Sequence, residues 1–487
     1  MFVDNRTTFL KRKVLTAVAE LFFADRMLED INRLPAKLIP RSATPHRCCI
    51  EKDREIIRQR IIAALGFGLE DETEVDMTLL SDYAKKSLRR ENPDATILSF
   101  MDEGCKACIQ VNYYVTDVCR NCVAKPCIMN CPKDAITADE KKATINSHKC
   151  INCGVCLKVC PYHAIVYVPV PCEESCPSGA IHKNELGREE IDYSKCIYCG
   201  KCMKACPFGA VVEKSQIIEV IKNLKSEKKC VAMVAPAIAG QFPVEMDQLA
   251  TAIRKLGFDY VVEVALGADV TTEVEAAEFL ERIKNGEKMM GTSCCPAYIE
   301  AVKKHARDFE KYVSHAKTPM VYTARLVGEK IPGAVRIFIG PCVAKRHEAL
   351  ENSEVDYVLT FEELGALLAG KGIDLDSCVE SDFDLGLPSK EGRGYPVSEG
   401  VAGAVRKKLT ESGQAEFLKP TYINGFTRKN ISLLRLYAKG KAPGNLIEVM
   451  SCEGGCISGP CVLANPKSAK SKLDELLQSQ TVKEESD

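Results

Sequence analysis

The sequence predicts an α/β domain, with mixed sheets flanked by helices, preceded by a cysteine-rich α+β domain and an N-terminal helical segment. Residues 1–100 place apolar side chains at three- and four-residue spacing, as in KRKVLTAVAELFFADRMLEDI, which favours helices. Residues 101–212 repeat a short cysteine motif, and in residues 213–465 strand-like apolar runs alternate with helical stretches. The charged residues 466–487 are expected to form a solvated helix or a frayed end.

The bulk composition excludes several classes of function. Lys and Arg (66) nearly balance Asp and Glu (67), so no long-range field favours nucleic acid. No apolar run reaches the roughly 18 residues of a membrane span. The N-terminal residues lack the apolar segment and cleavage site of a secretory signal. We therefore expect a cytoplasmic protein with neither nucleic acid nor a membrane as its partner.

The cysteines indicate the chemistry. There are 26 of them, sixteen between residues 105 and 206. Disulfide scaffolds are usually small, secreted and short of a core, and this chain has none of those features. Closely spaced C-x-x-C runs in such a chain favour thiolate ligands to iron over disulfides.

The cysteine-rich segment contains four copies of one short motif: CIMNCPKDAI, CLKVCPYHAI, CEESCPSGAI and CMKACPFGAV. Each copy matches the C-x3-C-P end of the ferredoxin motif C-x2-C-x2-C-x3-C-P, whose fourth cysteine binds the other cluster of a pair. A ferredoxin-like domain follows from it. Crossing the first two copies predicts one 4Fe–4S cluster on Cys119, Cys122, Cys127 and Cys160, and a second on Cys150, Cys153, Cys156 and Cys131.

The other two copies are unequal, because the third lacks its leading C-x-x-C. The same crossing predicts a third cluster on Cys176, Cys196, Cys199 and Cys202. Cys172 and Cys206 are then left over, and one unused C-x-x-C remains, so we hypothesise a fourth accessory cluster on Cys105, Cys108, Cys172 and Cys206. The alternative is that Cys105 and Cys108 are spare thiols or bind something else.

Three motifs in the second half supply four more thiolates. They are TSCCPAY (292–298), GPCVAKRHE (340–348) and EVMSCEGGCISGPC (448–461), which contain Cys295, Cys342, Cys452 and Cys456. Pro or Gly beside each cysteine indicates loops, and loops from such distant places predict convergence on one buried site. Any single cysteine of this kind is usually a buried structural residue.

These motifs resemble the signature loops of iron-only (FeFe) hydrogenases, TSCCP, PC-x2-K-x2-E and E-x-M-x-C-x2-GC, and the chain looks closest to the branch called group B. The resemblance implies an α/β catalytic domain of the iron hydrogenase type and an H-cluster, a 4Fe–4S cubane joined to a diiron azadithiolate unit with CO and cyanide ligands. By motif, Cys295, Cys342, Cys452 and Cys456 would hold the cubane, and Cys456 would also bridge to the diiron unit. Lys345 would donate to the cyanides, with Ala235, Pro236, Ala237 and Met450 lining the pocket.

The resemblance also implies a proton relay. Cys294 would be the first donor, followed by Glu275, Ser314, Glu278 and Arg282. Glu275, Glu278 and Arg282 have the spacing of one helix face. Without the resemblance, that stripe would be an ordinary solvated charged face.

Several residues depart from the family pattern. Ala297 and Tyr298 follow TSCCP where the family commonly has Gly and Trp, Gly340 replaces a frequent Met, and Met320 stands where a Gln is often found. These changes alter hydrogen bonding near the diiron ligands, so catalytic bias and oxygen tolerance do not follow from the family.

The resemblance implies reversible ferredoxin-type hydrogenase activity, 2 H⁺ + 2 e⁻ = H₂, with hydrogenase maturation proteins as partners. Two rival functions stay open: a hydrogen sensor with the same cofactor, and an iron–sulfur assembly scaffold without the diiron unit. Because no G-x-G-x-x-G follows a predicted strand, ferredoxin or another redox protein is the expected electron partner rather than a nicotinamide.

Overall fold

The computed structural model describes residues 5–93, 96–106, 108–185 and 187–484. Its N-terminal part is helical, as the sequence predicts. The first helix is capped by the Asn5 side chain, which accepts a hydrogen bond from the Thr8 amide at 3.0 Å. The helices of this part are α1 (Arg6–Phe23), α2 (Met27–Asp30), α3 (Leu34–Leu38), α4 (Ile50–Ala64), α5 (Glu72–Met77) and α6 (Leu80–Arg89), with a 3₁₀ turn at Ile31–Arg33.

The cysteine-rich part consists of short helices and antiparallel strand pairs. The pairs are β1 (Leu98–Phe100) with β8 (Val211–Glu213), β2 (Tyr113–Val115) with β5 (Ile165–Tyr167), β3 (Ile136–Ala138) with β4 (Ala143–Ile145), and β6 (Ile181–Lys183) with β7 (Glu189–Ile191). The helices are α7 (Asp102–Cys105), α8 (Pro126–Met129), α9 (Val155–Val159), α10 (Pro171–Ser175) and α11 (Lys201–Ala205). This arrangement is the predicted α+β ferredoxin-like part.

The C-terminal half contains two sheets. A four-stranded sheet has the order β10 (Tyr260–Glu263), β9 (Cys230–Val234), β12 (Val335–Gly340), β13 (Tyr357–Thr360), and a three-stranded sheet has the order β11 (Met290–Gly291), β15 (Leu446–Met450), β14 (Pro420–Asn424). Neighbouring strands in both sheets are parallel, where mixed sheets were predicted. Parallel pairing follows because crossover connections containing helices join the strands.

The helices of this half surround the two sheets. They are α12 (Ile217–Leu224), α13 (Met246–Leu256), α14 (Ala265–Lys284), α15 (Pro296–His305), α16 (Pro319–Lys330), α17 (Ala344–Glu351), α18 (Phe361–Gly370), α19 (Lys390–Gly394), α20 (Gly400–Glu411), α21 (Arg428–Leu436) and α22 (Pro466–Glu484), with 3₁₀ turns at Pro236–Ile238, Arg307–Tyr312, Ala415–Phe417 and Cys456–Ser458 and a π-helical turn at Tyr437–Lys441. The apolar run ending in VVEVAL was interpreted as strand, but it leaves β10 after Glu263 and enters α14 at Ala265. A short apolar run has too few residues to distinguish a strand from the start of a buried helix.

The N-terminal helices and the four-stranded sheet share one hydrophobic core. α1 packs against α4 and α18, and Val18, Ile61, Ile337 and Leu364 are all fully buried in that core. Residues of the first hundred therefore form a layer on the C-terminal half, consistent with a helical cap.

The charged C-terminal residues form α22, which is more than a solvated end. Ala469 and Leu473 are fully buried in a small cluster with Ala239 and Ile457. One face of the helix therefore packs on the rest of the C-terminal half, because its apolar residues recur at four-residue spacing. Among the helices in the described ranges, none is long and apolar enough to cross a bilayer.

Candidate functional site

Four thiols of the C-terminal half converge from loops that follow parallel strands. Cys295 is the first residue before α15 and follows β11, Cys342 follows β12, and Cys452 and Cys456 follow β15. Burial raises the pKa of the Cys452 thiol well above its usual value, and the nearby sulfurs of Cys342, Cys456 and Cys295 raise it further. The carboxyl ends of parallel strands lie at one edge of a sheet, which explains why Cys295, Cys452 and Cys456, after β11 and β15 of the three-stranded sheet, meet; Cys342 joins them from the end of β12 in the four-stranded sheet.

This donor set fits an iron–sulfur group. Four soft thiolates in a buried site favour iron–sulfur clusters over hard cations that prefer oxygen ligands. Burial also disfavours four neighbouring negative charges unless cations lie among them, and a bound cluster supplies those cations.

A cavity of about 70 Å³ lies beside these thiols. Its wall contains the predicted pocket residues together with two of the ligand candidates and the predicted proton donor: Ala235, Pro236, Ala237, Lys345, Met450, Cys342, Cys456 and Cys294. Val264, Ala268, Phe338, Pro341 and Tyr395 complete much of the remaining surface, and Met320 is also exposed to it. The cavity is therefore apolar apart from a cation and a few sulfur atoms, which is typical of a cofactor site.

Lys345 is a buried cation on the cavity wall. Burial opposes its charge, but the Glu348 carboxylate, 2.7 Å from Lys345 Nζ, outweighs this effect and raises the lysine pKa. Thr318 Oγ1 donates to the other Glu348 oxygen at 2.5 Å, so the carboxylate is itself fixed. Lys345 therefore remains charged next to Cys342 and Cys456.

Cys294 contacts the same cavity among Ala268, Tyr395 and Met450. Burial raises its thiol pKa well above the usual value, and the nearby Glu275 carboxylate adds to this effect. The side chain is thus a neutral thiol at ordinary pH, which can donate a proton where an iron-bound thiolate cannot.

Glu275 lies behind Cys294 and is fully buried. One of its oxygens, Oε1, accepts hydrogen bonds from the backbone N–H of Ser293 at 2.8 Å and from Ser293 Oγ at 2.9 Å. The other oxygen, Oε2, has no partner among the described residues. Burial raises the pKa of Glu275 to about 7, although the two bonds from Ser293 oppose that shift.

The outer residues of the predicted relay form a connected network. Ser314 Oγ donates to Glu278 Oε2 at 2.7 Å, and Arg282 donates to Glu278 Oε1 at 2.6 and 2.9 Å. Burial alone would raise the pKa of Glu278, but these hydrogen bonds lower it. Within the described part of the chain, no direct hydrogen bond joins Glu275 to either Cys294 or Ser314.

The cysteines of the ferredoxin-like part also group as the spacing predicts. Cys119, Cys122, Cys127 and Cys160 line one small cavity, and Cys131, Cys150, Cys153 and Cys156 line another. Around Cys202, the sulfurs of Cys199, Cys196 and Cys176 add to the effect of burial and raise its pKa well above the usual value. The charge of Cys199 also raises the pKa of Cys452, so this group adjoins the four converging thiols of the C-terminal half.

The remaining four cysteines lie together as hypothesised. Burial raises the pKa of Cys172, and the nearby charges of Glu189, Cys206, Cys108 and Cys105 raise it further. Arg60, from α4, reaches this group. Its Nη2 donates to the carbonyl oxygen of Gly209 at 2.9 Å, and among its charged neighbours Cys206 has the largest electrostatic effect on its pKa.

The four copies of the repeated cysteine motif share a local geometry that the sequence alone does not reveal. In each, the second cysteine directly follows or lies close to the end of a short helix, and the amide of the alanine four residues later donates to its sulfur. The bonds are Ala135 N to Cys131 Sγ at 3.3 Å, Ala164 N to Cys160 Sγ at 3.4 Å, Ala180 N to Cys176 Sγ at 3.3 Å and Ala210 N to Cys206 Sγ at 3.3 Å. Hydrogen bonds of this kind stabilise a thiolate.

Sequence reasoning missed several residues of the site. Ser293 fixes Glu275, and the signal available was its place inside TSCCP. Glu348 holds Lys345, and it stands at the last position of the PC-x2-K-x2-E motif. Gly340 has a steric role, because a Cβ there would meet Phe338 Cε1 at 2.5 Å. The Phe338 ring therefore occupies the place where the frequent Met side chain of the family would begin.

Comparison with known proteins identifies the class of this site. Residues 228–460 match the family model described as the iron only hydrogenase large subunit, C-terminal domain. Residues 189–212 match a 4Fe-4S binding domain, and residues 119–169 match the LdpA Fe-S cluster-binding domain. The fold and these matches define an iron–sulfur protein. More particularly, residues 228–460 are similar to iron-only hydrogenases, which confirms the resemblance found in the motifs of this region.

Curated relatives include enzymes and other proteins. The chain is 29% identical to the NADP-reducing hydrogenase subunit HndD of Solidesulfovibrio fructosivorans, over 67% of this chain but only 58% of that protein. It is 26% identical to iron hydrogenase 1 of Clostridium pasteurianum, over 69% of this chain and 67% of the relative. A probable cytosolic Fe-S cluster assembly factor of Drosophila virilis is 28% identical over 43% of this chain and 55% of its own length.

Among solved structures, a variant of the [FeFe]-hydrogenase HydA1 from Chlamydomonas reinhardtii aligns with a TM-score of 0.45 and 23% identity. The alignment covers 53% of this chain and 88% of the solved chain.

Proposed function

We propose that this protein is a catalytic hydrogenase that interconverts protons, electrons and dihydrogen. The observation that supports the proposal is that two proposed iron ligands, Cys342 and Cys456, and the proposed proton donor, Cys294, line one buried cavity. Cys342 and Cys456 belong to the thiolate group, whereas Cys294 on the same wall is a neutral thiol backed by Glu275. The cavity thus joins a site for electrons to a site for protons.

We infer that Cys295, Cys342, Cys452 and Cys456 hold the cubane of an H-cluster, with Cys456 also bridging to its diiron azadithiolate unit. When bound, this group supplies the two-electron chemistry of hydrogen. Lys345 stays charged in the apolar wall, where it would donate to the cyanide ligands of the bound group. Ala235, Pro236, Ala237 and Met450 shape the pocket and exclude water from it.

We infer that protons pass through Cys294, Glu275, Ser314, Glu278 and Arg282. Glu275 has a pKa of about 7, so its carboxyl changes protonation near neutral pH, as an efficient proton carrier must. Its unpartnered Oε2 is the natural contact for a water molecule, which would complete the connection to Ser314. Ser314 then bonds directly to Glu278 at 2.7 Å.

Electrons would travel through four accessory 4Fe–4S clusters on the grouped cysteines. The third group, which contains Cys199, adjoins Cys452 and would exchange electrons with the catalytic thiols. Ferredoxin or another redox protein remains the proposed partner, and maturation proteins would insert the diiron unit. A cytoplasmic setting keeps thiols reduced, which suits 26 cysteines with no disulfide among them.

The test is hydrogen evolution from reduced methyl viologen by protein whose iron–sulfur clusters and diiron unit have been loaded. Infrared bands of CO and cyanide report separately whether the diiron unit has bound. Rapid evolution together with those bands supports the proposal. The Lys345→Met variant keeps a long unbranched side chain but removes the cation, and we expect it to lose the CO and cyanide bands.

Two outcomes would contradict the proposal. Negligible evolution with the infrared bands present would favour a hydrogen sensor. Absence of both, in protein that still contains its 4Fe–4S clusters, would favour an assembly scaffold, a possibility raised by the assembly factors among the relatives.

A further inference from the structure

His315 stands at the solvent end of the Ser314–Glu278–Arg282 network. Its side chain is 86% exposed, yet its Nδ1 lies 2.8 Å from Glu278 Oε1. The same nitrogen lies 3.2 Å from Nη2 of Arg282. The backbone N–H of His315 also donates to the Glu278 carboxylate, at 3.0 and 3.2 Å. An exposed imidazole is therefore in direct contact with the half-buried carboxylate of the network.

The position of Nδ1 gives the ring a partner in either protonation state. When the ring is protonated, Nδ1–H donates to the Glu278 carboxylate. When the ring is neutral with its proton on Nε2, Nδ1 accepts a hydrogen bond from Arg282. Neither state leaves the nitrogen without a partner, so gain and loss of a proton require no rearrangement of the network.

Glu278 alone is poorly suited to collect protons from water. Its hydrogen bonds with Ser314 and Arg282 hold its pKa below the usual value for a glutamate, despite partial burial. At neutral pH the carboxylate is protonated only a small fraction of the time. Imidazole is the side chain that most readily exchanges protons in this range.

We propose that His315 is the proton-exchanging residue at the entrance of the relay. Its ring takes a proton from bulk water, Nδ1–H passes a proton to Glu278 Oε1, and Ser314 connects Glu278 Oε2 to the interior. The ring, now neutral with its proton on Nε2, takes the next proton from water on Nδ1, which the exposure of the side chain allows, and the sequence runs backwards for hydrogen oxidation. This inference rests on the proposed function.

The charged groups that face the imidazole are few. Glu278 and Arg282 approach from α14, and Glu287 lies 3.5 Å from Nη1 of Arg282 on its far side. From the preceding segment, Lys311 and Val313 contribute backbone carbonyl oxygens to Arg282 rather than charges. A change at His315 therefore acts on the relay through Glu278 and Arg282.

The experiment compares His315→Gln with the wild type as loaded holoenzyme. Glutamine keeps the backbone bonds to Glu278 but does not exchange protons. We expect hydrogen evolution to fall by about tenfold, most strongly above neutral pH, and to recover when imidazole is added to the buffer. The matched control is His182→Gln, because His182 is also exposed and lies 2.9 Å from a carboxylate oxygen of Glu190, away from the relay. That variant should keep the wild-type rate and pH profile.

A second measurement does not depend on activity. With only seven histidines in the chain, ring resonances of cluster-loaded protein can be assigned by NMR. The His315 ring resonances should shift in Glu278→Gln, because Nδ1 of His315 lies 2.8 Å from Oε1 of Glu278. Unchanged ring resonances overturn the inferred contact.

The outcomes separate the inference from the proposed function. An active His315→Gln enzyme with the wild-type pH profile overturns the inference alone. Loss of activity that imidazole fails to restore assigns His315 a structural role and overturns it as well. If the loaded wild type evolves no hydrogen, the proposed function fails, and the inference fails with it.

Discussion

Ser293 donates two hydrogen bonds to one oxygen of Glu275, its amide at 2.8 Å and its hydroxyl at 2.9 Å. This double contact fixes the carboxyl group next to Cys294 while leaving its second oxygen without a partner among the described residues. The same serine is the neighbour of Cys294 in sequence. The loop that contains the proposed proton donor, Cys294, therefore also orients the next proposed proton carrier, Glu275.

Replacing Glu275 with Gln should lower hydrogen evolution by about 10²-fold or more, because glutamine accepts the bonds from Ser293 but transfers no proton. The pH dependence follows from the sign of the pKa shift. Burial raises the pKa of Glu275 to about 7, so the carboxyl is neutral below that pH and ionised above it. An infrared carboxyl C=O band should disappear as the pH rises through about 7 and should be missing in Glu275→Gln. A variant with wild-type turnover would exclude Glu275 from the relay.

Replacing Cys294 with Ser should remove most turnover while the diiron unit stays bound. A serine hydroxyl is a much weaker acid than a thiol, so it donates a proton less readily to a neighbouring base. The CO and cyanide bands should remain, because Cys294 is not among the proposed iron ligands. Retained turnover would show that another group supplies the proton.

The double variant Cys105→Ala/Cys108→Ala should lose about four iron atoms per chain, since it removes half of the ligands of one 4Fe–4S cluster. The matched control is Cys48→Ala/Cys49→Ala, the other closely spaced pair, which belongs to none of the proposed clusters. Iron content is measured on purified protein against protein concentration. Unchanged iron in the first variant would remove the fourth accessory cluster from the proposal.

Replacing Arg60 with Gln should lower the reduction potential of the cluster on Cys105, Cys108, Cys172 and Cys206. Arg60 is only 6% exposed, its Nε has no partner in the described ranges, and Cys206 is the anion that acts on it most strongly. A nearby positive charge favours the reduced, more negative cluster, so its removal makes reduction harder. Redox titration followed by EPR measures the shift. Arg60→Lys keeps the charge and should shift the potential less.

The sequence predicts most clearly what depends on short spacing. The cysteine repeats place each of the first three groups of ligands within two adjoining motifs, whereas the fourth group draws on three segments, and the cysteines of every group lie together. Three family motifs likewise name residues that line one cavity. Such features depend on residues close in the chain, or on loops that a known family pattern already relates.

Contacts between distant segments could not be predicted in this way. Nothing in the helical periodicity of α4 indicates that Arg60 reaches the turn after Cys206. The pairing of Lys11 with Glu362 at 2.5 Å joins residues that no motif relates. Ser293 and Glu348 stand inside recognised motifs, but the bonds of Ser293 to Glu275 and of Thr318 to Glu348 depend on how α14 and α17 pack.

Gly340 and Phe338 constrain the order in which this cavity can change during evolution. A side chain at position 340 has no room while the Phe338 ring is present, and loss of the ring alone leaves a void beside the cofactor pocket. Each single step is therefore harmful, whereas the two together exchange one apolar filling for another. Phe338 therefore keeps Gly at position 340. Conversion to the common family pattern requires substitutions at positions 338 and 340 together.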